Sequence, residues 1–326
     1  MLKPNSEKSN HQFSATQKSH SNTRLFLHPP LTLSTNSFKS SLPTLIDSQL
    51  SLLLSIIHLD YLRVSSTDLN QKSFYLLSFI LFSKVDSKTI YKPWHPHPRM
   101  PKSKKYQNRI VSKTGIVLGY TKRAKYRGNN TRYVYDIMID FTGVYFANLS
   151  LIEQLELIYY LNSNWKLKCH RIDVAIDDYS RELFPVGQMI TAFLEDNNFG
   201  FQVIDDSYLD IVDNKFVGTL GIGSRCSSFF IRIYTKHKLF VRWETELKQK
   251  KAQKLFDELV DLATVRADNT LPAQAILKTL LDAAIGKIDF RDKSCINSPK
   301  NATKAKTKRL PFWQETLNRI YLSIYS

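Results

Sequence analysis

Three short segments carry side chains whose types and spacing could do chemistry. In RIDVAIDDY, residues 171–179, strand alternation puts Arg171, Asp173, Ala175 and Asp177 on one face and Ile172, Val174 and Ile176 on the other. Aspartate is disfavoured in strands, so two on one face of an apolar strand need compensation. Either a metal supplies it or an ion-pair partner such as Arg171 does, unless Asp177 and Asp178 simply turn the strand end. In VRWETELK, residues 241–248, the same period aligns Arg242, Glu244, Glu246 and Lys248. Alone, that face is a salt-bridge ladder. Beside the first strand, it offers further oxygen ligands for a hard divalent cation such as Mg²⁺ or Mn²⁺. In FFIRIYTK, residues 229–236, Phe230, Arg232, Tyr234 and Lys236 share a face. A tyrosine between two cations reads as an exposed strand residue or as a nucleophile. In the second reading, the positive charge is expected to lower the phenol pKa from about 10 and to neutralise a phosphate under attack.

The elements that must position these segments follow from pattern. Residues 1–41 are dominated by Ser, Asn, Thr, Lys and His and cannot bury enough apolar surface to offset chain entropy, so disorder is expected there. Apolar runs return in LSLLLSIIHLDYLRV and FYLLSFILF, which read as strands or as buried helix. Four prolines in KPWHPHPRMP mark a loop, which also argues against a metal pair at His95 and His97. NTRYVYDIMIDFTG alternates as a strand, and LSLIEQLELIYYLNS has helical spacing with Ser150 as its N-cap. LKCHRIDVAIDDY predicts a strand and PVGQMITAFLEDNNFG a helix closed by Gly200. FVGTLGIGS and SSFFIRIYTK predict two strands joined at residues 224–227, followed by the strand LFVRWETELK and the amphipathic helix KAQKLFDELVDLATV. Gly221 and Gly223 belong to no phosphate-loop pattern and read as a bend. The order predicts an α+β fold with a largely antiparallel central sheet flanked by helices, preceded by a disordered extension and followed by a helical tail. The expected divisions are 1–55, 56–265 for the domain carrying the chemistry, and 266–326 with a basic linker.

Composition narrows the partner. The 326 residues carry 46 Lys and Arg against 29 Asp and Glu, a net charge of +17, which favours an anionic partner. Between residues 101 and 135 there are ten Lys or Arg and no acid, with five tyrosines interleaved. Cations meet phosphates and tyrosine rings stack on bases, so Lys102, Lys104, Lys105, Arg109, Lys122, Arg123, Lys125 and Arg127 are candidate nucleic-acid contacts, and Arg225 is another. Cys169, Cys226 and Cys295 fit neither a disulfide framework nor a zinc site, which points to a reducing compartment. The apolar windows at 50–57 and 74–82 are too short to span a bilayer, so no membrane partner is expected. The acid-poor N-terminus reads as a transit segment or as an unstructured extension.

Taken in order, LDYLRV, HRIDVAIDDY, GTLGIGSRCSSFFIRIYTK and VRWETELK resemble the replication initiation factor family. That family includes rolling-circle plasmid initiators of the staphylococcal type and filamentous-phage replication proteins. The resemblance covers residues 59–260, with a weaker echo at PFWQETL. It implies a metal-dependent enzyme that nicks one DNA strand through a 5′-phosphotyrosine. Tyr234 would be the nucleophile, Arg232 and Lys236 would hold the phosphate, and Asp173 and Glu244 would bind Mg²⁺ or Mn²⁺, with Asp177 and Glu246 as candidates. Replication-origin DNA, both double- and single-stranded, is the implied partner. A homodimer and a host helicase and polymerase follow from the same resemblance, as does a cytoplasmic or organelle-interior location. A mobilisation relaxase or recombinase of the same fold, or a DNA-binding regulator without activity, would share these residues. The connection from Lys236 to Arg242 is shorter than in many relatives, so origin contacts and a dimer surface there are expected to differ.

Overall fold

A computed structural model describes residues 57–82, 90–93, 106–199, 204–212, 215–236, 239–264, 273–294, 303–304 and 307–325. The extension 1–55, the part of the expected loop from 94 to 101 with His95 and His97, Lys102, Lys104, Lys105, Gly200 and Cys295 lie outside the described residues, while Lys92 and Pro93, expected in that loop, pair as strand with Arg109 and Asn108. The chain divides into two units, 1–42 and 43–326, and everything described belongs to the second.

The elements in chain order are β1 (Ile57–Asn70), α1 (Gln71–Phe82), β2 (Ile90–Pro93), β3 (Asn108–Val111), β4 (Ile116–Arg127), β5 (Asn130–Phe141), α2 (Gly143–Phe146), α3 (Leu151–Trp165) and β6 (Lys168–Asp178). They continue with α4 (Val186–Leu194), β7 (Asn198–Phe199), β8 (Ile204–Val212), β9 (Lys215–Ile222), β10 (Phe229–Lys236), β11 (Phe240–Lys248), α5 (Gln249–Thr264), α6 (Ala273–Ala284), β12 (Asp289–Asp292), β13 (Lys308–Arg309) and α7 (Pro311–Tyr325). Ten strands form one sheet in the order β2-β3-β4-β5-β1-β6-β11-β10-β9-β8, with every neighbouring pair antiparallel. The expected α+β class with an antiparallel central sheet is what the chain adopts.

Alternation divides the sheet. Ile57, Leu59, Leu62, Ile172, Val174, Ile176, Ile231, Ile233, Trp243 and Leu247 are buried together with apolar residues of α3, α5 and α6, so the helices cover this face. Helices on both sides of residue 265 share that one core, because Leu255 and Phe256 of α5, Leu277 and Leu280 of α6 and Trp313 of α7 belong to it. Under β11, the Trp243 indole N–H donates to the Ala284 carbonyl at 3.1 Å and its ring stacks on Trp313 at 6.1 Å. Among the described residues no helix is long and apolar enough to cross a membrane.

Local sequence rules explain most of the termini. Ser150 and Glu153 form a capping box, each side chain taking the other residue's backbone N–H, and so start α3. FYLLSFILF, open between strand and helix on sequence, is α1, whose Phe74 stacks on Tyr135 of β5 at 4.1 Å. The helix expected to run to Gly200 instead ends at Leu194, and Asp196 at φ +54° supplies the left-handed turn.

Candidate active site

The other sheet face carries the predicted residues. Register brings the three strands together: Asp173 lies opposite Glu246, Asp177 opposite Arg242, Glu244 opposite Arg232, and Arg242 opposite Tyr234. β1 adds a fourth strand, with Arg63 opposite Arg171 and Tyr61 opposite Asp173.

β1 contributes through a bulge. Leu59 pairs with Val174 and Tyr61 with Asp173, so Asp60 is an extra residue. The bulge lets His58, Asp60, Tyr61 and Arg63 all reach the polar face while Leu59 and Leu62 stay in the core. Gln154 of α3 serves this irregularity. Its side-chain oxygen accepts from the Leu59 N–H at 2.9 Å, and its amide donates to the carbonyls of Phe146 and Leu149. At the start of α2, a Cβ on Gly143 would lie 2.7 Å from Asp60 Oδ1, so only glycine fits there without moving the carboxylate.

Two linked clusters result. In the first, Arg171 chelates Asp173 at 2.8 and 2.5 Å and reaches Glu246 at 3.0 Å, Lys248 also pairs with Glu246, and Arg232 pairs with Glu244. Arg232 Nη2 stands 4.0 Å from Asp173, and its buried Nε has no hydrogen-bond partner among the described residues. In the second, Arg242 chelates Asp177 at 2.5 and 2.7 Å, contacts Asp60, and lies 3.1 Å from His58 Nε2, with Lys236 3.9 Å from Asp60. Tyr234 stands between the two, its hydroxyl donating to Glu244 Oε2 of the first at 2.9 Å and its strand position lying opposite Arg242 of the second.

Burial shapes the titration of this face. The Asp173 carboxyl is raised to about 7 by desolvation and by the nearby charges of Glu244 and Glu246, while Arg171 pulls it down. His58 is lowered, chiefly by burial. The Tyr234 phenol was expected below its ordinary value. It is instead raised, first by burial and then by the Glu244 carboxylate, with Arg242 opposing. The lowering by Arg242 is outweighed by burial and by the Glu244 carboxylate, while Arg232 and Lys236 face carboxylates of their own. The group placed to take its proton is Glu244.

A divalent cation needs converging oxygen ligands. Among the described residues no three His, Cys, Asp or Glu side chains form such a group. Asp177 sits four residues from Asp173, roughly 13 Å along the strand, in the Arg242 cluster, and Glu246 is held by Arg171 and Lys248. Asp173 and Glu244 remain: both carboxylates approach the same Arg232 guanidinium, so the space between them is one that positive charge occupies. The donors are hard oxygens, and the fit is with this pair rather than with four acids.

The remaining predicted contacts are spread over the sheet. Arg225 is exposed in the β9–β10 connection with its guanidinium 5.5 Å from the Phe230 ring. Arg109 lies on β3, and Lys122, Arg123, Lys125 and Arg127 line the exposed half of β4. Sequence reading missed His58, Asp60, Tyr61 and Arg63. The signal was the broken alternation in HLDYLR, where adjacent Asp60 and Tyr61 between leucines mark a bulge.

No family model matches the chain, and no curated protein matches it either. Among solved structures, a rolling circle replication initiator protein from Geobacillus stearothermophilus aligns with a TM-score of 0.53 at 18% identity, covering 81% of this chain and 96% of that one. The chain therefore shares the fold of that replication initiator over almost the whole of the initiator's length.

Proposed function

We propose that this chain is a rolling-circle replication initiator that nicks one DNA strand with Tyr234. The observation that carries the reading is the Tyr234 hydroxyl donating to Glu244 on a sheet face lined with cations. The shared fold supports the same role. In the reaction, the Tyr234 oxygen attacks the scissile phosphorus as Glu244 takes the phenolic proton. The bond from phosphorus to the 3′ oxygen breaks, leaving a 5′-phosphotyrosine and, once that oxygen gains a proton, a 3′-OH for a polymerase. Arg232 and Lys236 hold the phosphate, exchanging their present carboxylate partners for its oxygens. Mg²⁺ or Mn²⁺, which Asp173 and Glu244 would hold, would supply charge neutralisation at the phosphate when bound. Origin DNA is the partner, and a homodimer and a host helicase and polymerase belong to the same proposal.

The test is a labelled single-stranded oligonucleotide from the replicon's own origin, incubated with Mg²⁺ or Mn²⁺ and run on a denaturing gel. The wild-type chain leaves a protein-linked product, and Tyr234→Phe lowers it by on the order of 10⁴-fold or more. Equal adduct from Tyr234→Phe removes the nucleophile assignment. Cleavage at a transfer origin instead points to a relaxase. A second reading has its own observation: Asp173, Glu244 and Glu246 are balanced in charge by Arg171, Arg232 and Lys248. Such a face suits a protein that binds DNA without cutting it, and the same gel would then show no adduct with any variant.

A further inference from the structure

The β4–β5 hairpin leaves the sheet. From Lys122 to Tyr133 every residue is exposed, and six residue steps from Thr121 to Arg127 extend about 20 Å. Register runs unbroken to Arg127 opposite Asn130, and the two-residue loop opens with Gly128 at φ +59°. Residues 121–133 hold five cations and no acid.

The two faces of this ribbon differ. Cross-strand pairs carry the Tyr234 face through Arg63 and Asp140 to Arg123, Lys125, Arg127 and Arg132. Asp136 and Asp68 tie Arg123, and Asp68 ties Lys125, leaving Arg127 and Arg132 at the tip. The opposite face holds Lys122 4.0 Å over the Tyr133 ring, and Tyr126, 77% exposed. A single strand lying on the sheet could use only one of these faces. A groove with phosphate walls on both sides uses both, and the major groove of a duplex admits a two-stranded ribbon.

Taking Tyr234 as the cutting residue, we propose that the β4–β5 ribbon is a duplex-DNA arm lying in a groove of the double helix that flanks the nicked strand. Five strand spacings separate β10 from β4 in the sheet order. At about 4.8 Å each they total roughly 24 Å, or about seven base-pair steps of duplex. Charge complementarity selects the occupant, since each neutralised phosphate releases counterions and makes binding salt-dependent.

The test measures binding of the full chain to a mixed-sequence duplex, and to one strand of it, across a range of salt. Arg127→Ser/Arg132→Ser is expected to lower the slope of log affinity against log salt on duplex by about 1.8. It should also weaken duplex binding at least about tenfold while single-strand binding stays within about threefold. Arg127→Lys/Arg132→Lys keeps the slope. An unchanged duplex slope overturns the proposal, and so do equal losses on both substrates. Adduct formation plays no part in this readout, so failure of the ribbon and failure of the Tyr234 assignment are separable.

Discussion

Trp243 and Glu244 are neighbours on β11 and nearly inaccessible alike, at 0% and 2% exposed, yet they are buried for opposite reasons. Trp243 faces the helices among apolar groups, where burial itself stabilises. Glu244 faces Arg232 and Tyr234, where burial costs desolvation that the ion pair and hydrogen bond only offset. One strand thus has a face that holds the fold and a face that the fold must support. The contrast breaks most visibly by substitution at the pair. Trp243→Ala should cost about 3–5 kcal/mol in urea unfolding. Glu244→Gln should cost less, roughly 1–3 kcal/mol, while adduct formation falls on the order of 10²–10⁴-fold. If Glu244→Gln keeps full activity, another group takes the phenolic proton.

The same contrast has a pH dependence. The Asp173 carboxyl, 1% exposed, is raised to about 7 by burial and by Glu244 and Glu246. Between the ordinary aspartate value near 3.9 and about 7, the folded chain holds this proton more tightly than the unfolded chain. Stability is therefore greatest below that window and falls as pH rises through it, by a few kcal/mol at most. Unfolding followed without divalent metal should show this decline, and Asp173→Asn should flatten it. Mn²⁺ added above pH 7 should restore stability if Asp173 and Glu244 bind it. An unchanged slope in Asp173→Asn assigns the titration to another group.

Alternation made both faces of β6, β10 and β11 legible, because a two-residue period needs only the residues themselves. The capping box of α3 was legible for the same reason: Ser150 and Glu153 are three residues apart. What the sequence hid depends on partners distant in the chain. Whether FYLLSFILF coils or extends is decided by Tyr135 and Tyr120 against Phe74. The phenol of Tyr234 rises instead of falling because it is buried and beside the Glu244 carboxylate of another strand, which together outweigh Arg242. The four acids split into two clusters for a local reason that alternation alone does not measure, the length of strand between Asp173 and Asp177.

The bulge at Asp60 is the smallest feature joining the two faces, and Gln154 is how the helical layer holds it. Removing the side chain with Gln154→Ala leaves the buried Leu59 N–H without this acceptor and the Leu149 carbonyl without this donor, while the Phe146 carbonyl keeps the Leu149 N–H. The expected cost is about 1–3 kcal/mol. Because the bulge alone lets His58, Asp60 and Tyr61 share the polar face, its relaxation should also shift Asp60 from Arg242. Adduct formation should then fall by more than stability at working temperature accounts for, and Gln154→Glu, which keeps one acceptor, should recover part of both. A variant that loses stability but cuts normally would show that the bulge serves the core and not the site.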